Sequence, residues 1–274
     1  GLCPLCVGLP GVPGHRQLSL RALPPEGSGG PWGKRLNERH RNPWHGCRRV
    51  SEGCRNCYVY RIDGEHGKSG GEIRLNADFL LPLREGKQGW KVEPGETVYT
   101  CFSSDFLLEE ADPWRADAWR MMRIRQDLHF VFFTKRIERL GGLLPSDWGE
   151  GYDNVTVGCT CENQEMADRR LPVFLELPLR RRAVVCEPLL GAIDLGPYLN
   201  SRRIAEVLAG GESGEGARVC DFEWVIALRN ACAAHGVRFS YHQTGALLRR
   251  DGRIYHIPRA SQHDQAKRAG LDLC

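Results

Sequence analysis

The sequence predicts an α/β protein whose strands form a parallel (β/α) barrel, full or partial, and three observations predict it. From residue 97 onward, short runs rich in β-branched and aromatic residues recur at spacings that leave room for a helix. Most intervals carry a helical pattern, and the runs are near-continuously apolar, as strands covered on both faces are. Each run then ends in a polar cluster, and in parallel barrels those ends converge on one mouth where catalytic groups collect. A doubly wound open sheet is the alternative that the same pattern allows.

Taken in order, residues 1–33 are dense in glycine and proline, among them Gly8, Pro10, Pro13, Pro24, Pro25, Gly29, Gly30 and Pro31. Such a segment builds little core, so it is expected to be a flexible arm, with a single domain over 34–274. Cys3 and Cys6 in the arm are read as an incidental pair, because no βαβ pattern surrounds them. A short helix is expected over 58–66, broken by Gly64, Gly67, Gly70 and Gly71. The strand runs are 97–102, 129–133, 154–159, 182–186, 204–209 and 237–241, and the clearest helices between them are 113–125, 164–175 and 222–235. Asp112-Pro113 supplies a capping residue and a proline for the first helical position, and Asp221 supplies a cap for the last of these helices. Six such units, with one or two strands before them, are enough to close most of a barrel.

Composition bounds the function. With 274 residues, 41% of them hydrophobic, the chain can bury one large core, and a net charge of +4 neither demands nor forbids a polyanionic partner. Twelve cysteines are scattered through apolar runs, the pattern of reduced thiols in a cytoplasmic protein. No apolar run approaches the roughly 18 residues of a membrane span, and no signal-like segment opens the chain. No membrane partner is expected.

The stretch 42–58, Asn-Pro-Trp-His-Gly-Cys-Arg-Arg-Val-Ser-Glu-Gly-Cys-Arg-Asn-Cys-Tyr, carries Cys47, Cys54 and Cys57 on one short loop, with a glycine directly before the first two. Three readings fit these thiols. They are free core cysteines, part of a zinc site completed by His45 or a distant cysteine, or three corners of an iron–sulfur cubane whose fourth iron stays open. The strand ends add Ser103, Ser104 and Asp105, then Lys135 and Arg136, then Glu162, Glu187, the Gly210-Gly211-Glu212 segment, and His242 with Gln243. Six polar clusters at one rim describe an active site better than a core.

These motifs together, Asn42 through Tyr58, Phe133-Thr134-Lys135-Arg136 with Glu138-Arg139, Glu162-Asn163-Gln164, Cys186-Glu187-Pro188-Leu189-Leu190 and Gly210-Gly211-Glu212-Ser213-Gly214, resemble the phage-associated three-cysteine-motif family. That family is catalogued as a phage protein or domain of unknown function, and its sequences look like divergent radical S-adenosylmethionine (SAM) enzymes. The resemblance runs from about residue 42 to about residue 245 and implies a radical-SAM-like barrel. It implies that Cys47, Cys54 and Cys57 hold a 4Fe–4S cluster whose open iron takes S-adenosyl-L-methionine, reduced by an electron donor to yield a 5′-deoxyadenosyl radical. Tyr58 resembles the aromatic that packs beside the adenine. Ser103, Ser104 and Asp105 are expected at the amine or ribose, Lys135 and Arg136 at the SAM carboxylate or a substrate phosphate, and Glu162 among the cofactor-facing rim groups. Gly210, Gly211 and Glu212 resemble the segment that holds the methionyl amine, although they stand later in the chain than in typical members. Glu187 and His242 are the candidates for catalysis, with His242-Gln243 replacing the family's usual Lys-Gln.

The function expected on this reading is a radical SAM-type enzyme acting on a small-molecule or nucleotide substrate, with nucleic acid as a partner through the phage association. Two other classes remain open from the residues alone. One is a zinc-stabilised nucleic-acid-binding module using Arg48, Arg49, Arg55 and Arg61. The other is a barrel hydrolase working through Glu187 and His242.

Overall fold

The computed structural model describes residues 38–87 and 89–274. The expected arm over 1–33, with Cys3 and Cys6, lies outside the described residues. Seven strands form the main sheet: β1 (Glu38–Arg41), β2 (Thr97–Thr100), β3 (His129–Thr134), β4 (Val155–Thr160), β5 (Arg181–Cys186), β6 (Glu206–Gly210) and β7 (Arg238–Gln243). Their spatial order is their chain order, and every neighbouring pair is parallel. A doubly wound sheet needs a reversal of strand order, and this order never reverses. β1 and β7 do not pair, so the sheet is a partial barrel, curled into half of one.

The strand ends explain where the expected runs shift. β2 stops at Thr100 because Cys101 takes a left-handed backbone, φ 61°, which turns the chain toward the mouth. β6 begins two residues late, at Glu206, with the Ala205 amide just before it already bonded to the Arg182 carbonyl at 3.0 Å. The helices are α1 (Tyr58–Glu65), α2 (Asp112–Ile124), α3 (Gln164–Glu176), the single turn α4 (Gly196–Leu199), α5 (Phe222–His235) and α6 (Gln262–Arg268). Between β3 and β4 the connection is the 3-10 segment Ile137–Leu143, and α4 is similarly short, so two of the crossovers carry no full helix.

Asp221 caps α5 as expected, accepting from the Glu223 amide at 3.0 Å, and Asn163 caps α3 through the Met166 amide at 2.9 Å. Asp112 does not cap α2. It lies inside the first turn, and its carboxylate takes Arg139 at 2.8 Å and Arg115 instead. Helix and sheet meet over an aromatic core in which Phe106 stacks on Phe132 at 4.2 Å, with Trp119 edge-on to Phe106 at 4.9 Å. A smaller apolar layer of Ala183, Val185 and Leu208, with Phe133 against it, covers the concave face. Among the described residues no helix is long and apolar enough to cross a membrane.

Candidate functional site

The cysteine loop begins just past β1, at the mouth formed by the C-terminal strand ends. Its stem is anchored by Trp44, which is fully buried against Phe106 at 5.5 Å and donates to the Asp105 carbonyl at 3.2 Å. Burial of that indole contributes on the order of 4 kcal/mol. The glycines before the first two cysteines have separate reasons. Gly46 sits at φ +85° with its missing Cβ 2.2 Å from the Glu72 carbonyl, and a Cβ on Gly53 would stand 2.8 Å from the Glu162 carboxylate.

Glu162 is the first of two buried carboxylates that hold the loop. It is completely buried, pairs with Arg170 at 2.7 Å, and accepts from the Ser51 hydroxyl and, at 3.3 Å, the Gly53 amide. Burial pushes its pKa up, but Arg170, Lys135 and Ser51 outweigh this and hold it below the ordinary carboxylate value. Glu212 is the second. Its Oε2 accepts from Asn56 at 3.0 Å and from the Arg218 amide and Nε, both at 2.9 Å, while Arg218 also donates to the Glu52 carbonyl at 3.0 Å. Each carboxylate thus grips the residue beside a cysteine, from a strand end more than a hundred residues away.

This changes how several expected cofactor contacts are read. Glu162 and Glu212 spend their oxygens on the loop. Asp105 spends its own on Leu107, Thr134, the Lys135 amide and, at 3.1 Å, Arg136. Arg136 is buried and braces the loop, donating to the Arg48 carbonyl at 2.8 Å with its Nη1 3.9 Å from Cys47 Sγ. Ser103 accepts the Gly46 amide on its carbonyl at 3.1 Å, and the Ser104 hydroxyl donates to the Gly46 carbonyl. Gly210 and Gly211 serve close packing: added Cβ atoms would meet the Glu187 carboxyl at 2.7 Å and the Thr244 carbonyl at 2.3 Å. These residues build the frame of the loop.

Three groups are left facing the mouth. The Lys135 ammonium has no hydrogen-bond or ion-pair partner among the described residues, although its charge reaches Glu162. Tyr58 has an exposed ring, and its hydroxyl is tucked onto the Phe102 carbonyl. Burial of that hydroxyl raises its pKa, and Cys57 and Glu187 raise it further while Arg259 opposes, so Tyr58 stands between the thiols and the Glu187 pair. Glu187 and His242 themselves meet at 2.8 Å, Oε2 to Nδ1, with Gln243 on the other carboxylate oxygen and Arg259 on Gln243 at 2.7 Å. His263 packs edge-on against His242 with ring centres 4.6 Å apart.

Burial pushes Glu187 up, but His242 and Gln243 bring it below its ordinary 4.5; the Glu187 charge, against burial, raises His242 above its ordinary 6.5. The linkage signs follow. The raised histidine contributes stability that is complete below about pH 6.5 and fades as pH rises through its folded value, and the lowered carboxylate contributes above about pH 4.5 and fades as pH falls through its own. The melting-temperature advantage of the native protein over His242→Gln is therefore expected to peak between those values and shrink on both sides. An advantage that grows steadily toward alkaline pH would contradict the pairing.

The three thiols are half-buried and none is in a disulfide. Burial and, next, Asp105 push Cys47 up to about 11, with Arg136 opposing. In kind the donors suit a cluster, since thiolates are its normal ligands and the sulfurs of Cys47 and Cys54 make only long contacts, with Arg136 and the Arg48 carbonyl and with Ser51, among the described residues. Among the described residues no three His, Cys, Asp or Glu side chains already stand as a metal-holding group, so the thiols have to turn together to hold one. His45 does not face them: its Nε2 lies 2.6 Å from Asp63 on α1. Ser51, Asn56, Arg170, Arg218, Arg259 and His263 are parts of the site that sequence reasoning missed. Of these, Arg170 stands on α3, eight residues after Glu162, which lies before the helix cap, so no helical periodicity links the two.

A family model described as a protein of unknown function (DUF5131) matches residues 35–273. The chain belongs to the DUF5131 family. No curated protein and no solved structure matches it. The family match spans the whole half-barrel, the cysteine loop and the Glu187–His242 pair, and its description names no activity, so the phage association and the radical SAM likeness rest on the residues that suggested them.

Proposed function

We propose that this DUF5131 chain is a radical SAM-type iron–sulfur enzyme acting on a nucleotide or a nucleic-acid base. The observation that carries the reading is the three-thiol loop, set directly after β1 at the mouth of a half-barrel and gripped by two buried carboxylates at Gly53 and Asn56. Cys47, Cys54 and Cys57 would hold the cluster. When bound, a 4Fe–4S cluster with S-adenosyl-L-methionine would supply a 5′-deoxyadenosyl radical for hydrogen abstraction.

The chain's own residues have narrower tasks. Tyr58 offers an exposed ring for stacking beside the thiols. Lys135 brings an unpaired ammonium to the mouth for a carboxylate or phosphate. Glu187 orients His242 through Nδ1, which leaves Nε2 to hold or accept a proton from a bound substrate. The half-barrel wall of Val185, Leu208 and Phe133 excludes water beneath them.

The test is metal analysis with low-temperature EPR on protein reconstituted anaerobically with iron and sulfide, then reduced with and without SAM. About four irons per chain and a reduced-cluster signal altered by SAM are expected. Stoichiometric zinc with no cubane signal and no response to SAM would instead favour a metal-stabilised binding module, a reading weakened by His45 being engaged with Asp63.

A further inference from the structure

Beyond β7 the chain forms a hairpin of β8 (Leu247–Arg250) and β9 (Arg253–His256), joined by Asp251-Gly252 at φ 51° and 73°. Both central residues are left-handed, the requirement of the two-residue type I′ turn. Its root lies at the mouth. The Ala246 amide donates to the Glu212 carbonyl at 2.8 Å, Ile257 donates back to Ala246 at 2.8 Å, and the chain then returns Arg259 to Gln243 beside Glu187.

The register sets Arg250 directly opposite Arg253 and Leu248 opposite Tyr255. Because the side-chain period is two, Arg250, Arg253 and Tyr255 share one face with Leu248, which is buried and roots that face in the core while the other three stand exposed beyond it. Two like charges directly across a ladder cost stability, and an anion between them removes that cost. Arg250 lies 4.8 Å over the Phe222 ring, and Asp251 offsets it only loosely at 3.7 Å; Arg253 has no partner among the described residues. Tyr255 is 46% exposed and Ile254, on the reverse face, 50%, on an outer strand that pairs on one side only. An exposed apolar edge of this kind is a liability unless something covers it. Arg249 and His256 also border it, the former tied to Asp221 at 2.6 Å, and Asp251 is the hairpin's one carboxylate.

We infer that this hairpin is a docking surface for single-stranded nucleic acid, with Arg250 and Arg253 on a phosphate and Tyr255 stacked on a base, feeding the strand toward the Glu187–His242 mouth. A guanidinium pair beside a sequence-tolerant aromatic platform matches the repeating phosphate-and-base unit of a single strand. In a duplex the base faces are not available to Tyr255. This deepens the proposed function and rests on its nucleic-acid reading.

The test is fluorescence anisotropy with a labelled single-stranded oligonucleotide of about 12 residues, and a blunt duplex of the same sequence, titrated with the iron-free full chain over a range of salt. The single strand is expected to bind with an affinity that falls as salt rises. In Arg250→Ala/Arg253→Ala the affinity should drop about tenfold or more, with a shallower salt slope, and in Tyr255→Ala roughly tenfold. All three side chains are exposed, and relief of the Arg250–Arg253 repulsion offsets the lost Phe222 contact, so melting curves close to the native one are expected. No binding by the native chain, equal binding by the variants, or duplex preferred over single strand overturns the proposal. Iron loading is read separately: a chain that loads iron but ignores the oligonucleotide defeats only the hairpin, and one that binds through the hairpin but takes no iron defeats only the cluster.

Discussion

Anaerobically reconstituted Cys54→Ala is expected to hold less than about a quarter of the native iron and to show no SAM-dependent EPR signal, because three thiolates are the minimum that leaves a cubane with one open iron. The same loss is expected for Cys47→Ala and Cys57→Ala. Cys274→Ala, at the exposed far end of the chain, should load iron like the native protein. The loop's cysteines are only half-buried, so their truncation leaves little cavity, and the melting temperature of the iron-free chain should barely move. That separation matters: lost iron with an unmoved melting curve identifies ligands, whereas lost iron with a collapsed fold does not. Native iron content in Cys54→Ala overturns the ligand assignment.

Glu162→Ala is expected to cost about 3–5 kcal/mol of stability, the penalty for stranding a buried charge. Arg170 is only 3% exposed, and without Glu162 it keeps the Thr160 carbonyl at 2.7 Å as its one remaining bond among the described residues. The same change releases Ser51 and Gly53, so iron loading should fall even where the variant is kept folded at low temperature. Glu162→Ala/Arg170→Met, which removes both charges, should recover much of the stability but not the iron loading. Chemical denaturation and iron analysis of the single and double variants measure the two effects independently. If the double variant recovers both together, Glu162 acts on the fold alone and has no separate hold on the loop.

How much of this was legible depends on the range of the interaction involved. All six apolar runs are strands, and 58–66, 113–125, 164–175 and 222–235 are helices within a residue at either end, because periodicity and capping chemistry act over a few neighbours. The cysteine loop, its glycines and the rim clusters were readable for the same reason. Glu187 and His242 were readable as joint candidates for catalysis, but their direct contact was not, since 55 residues separate partners that only the curl of the sheet brings together.

The roles of the rim carboxylates are the clearest division. Local pattern sufficed to place Asp105, Glu162 and Glu212 at strand ends. Whether such a group faces a ligand or is consumed inside depends on which distant donors arrive. Arg170, Arg218, Asn56 and Arg136 arrive from other elements and take up those oxygens. A buried carboxylate must be paired wherever partners can reach it, and reach is set by the packing of strands and loops. The residue types and their order therefore determined the parallel strand-and-helix units and the polar chemistry at their strand ends, while the unreversed strand order and the half-closed curl came from the tertiary structure. Only the tertiary structure decided which of those groups brace the cysteine loop and which, Tyr58, Lys135, Glu187 and His242, still face the mouth.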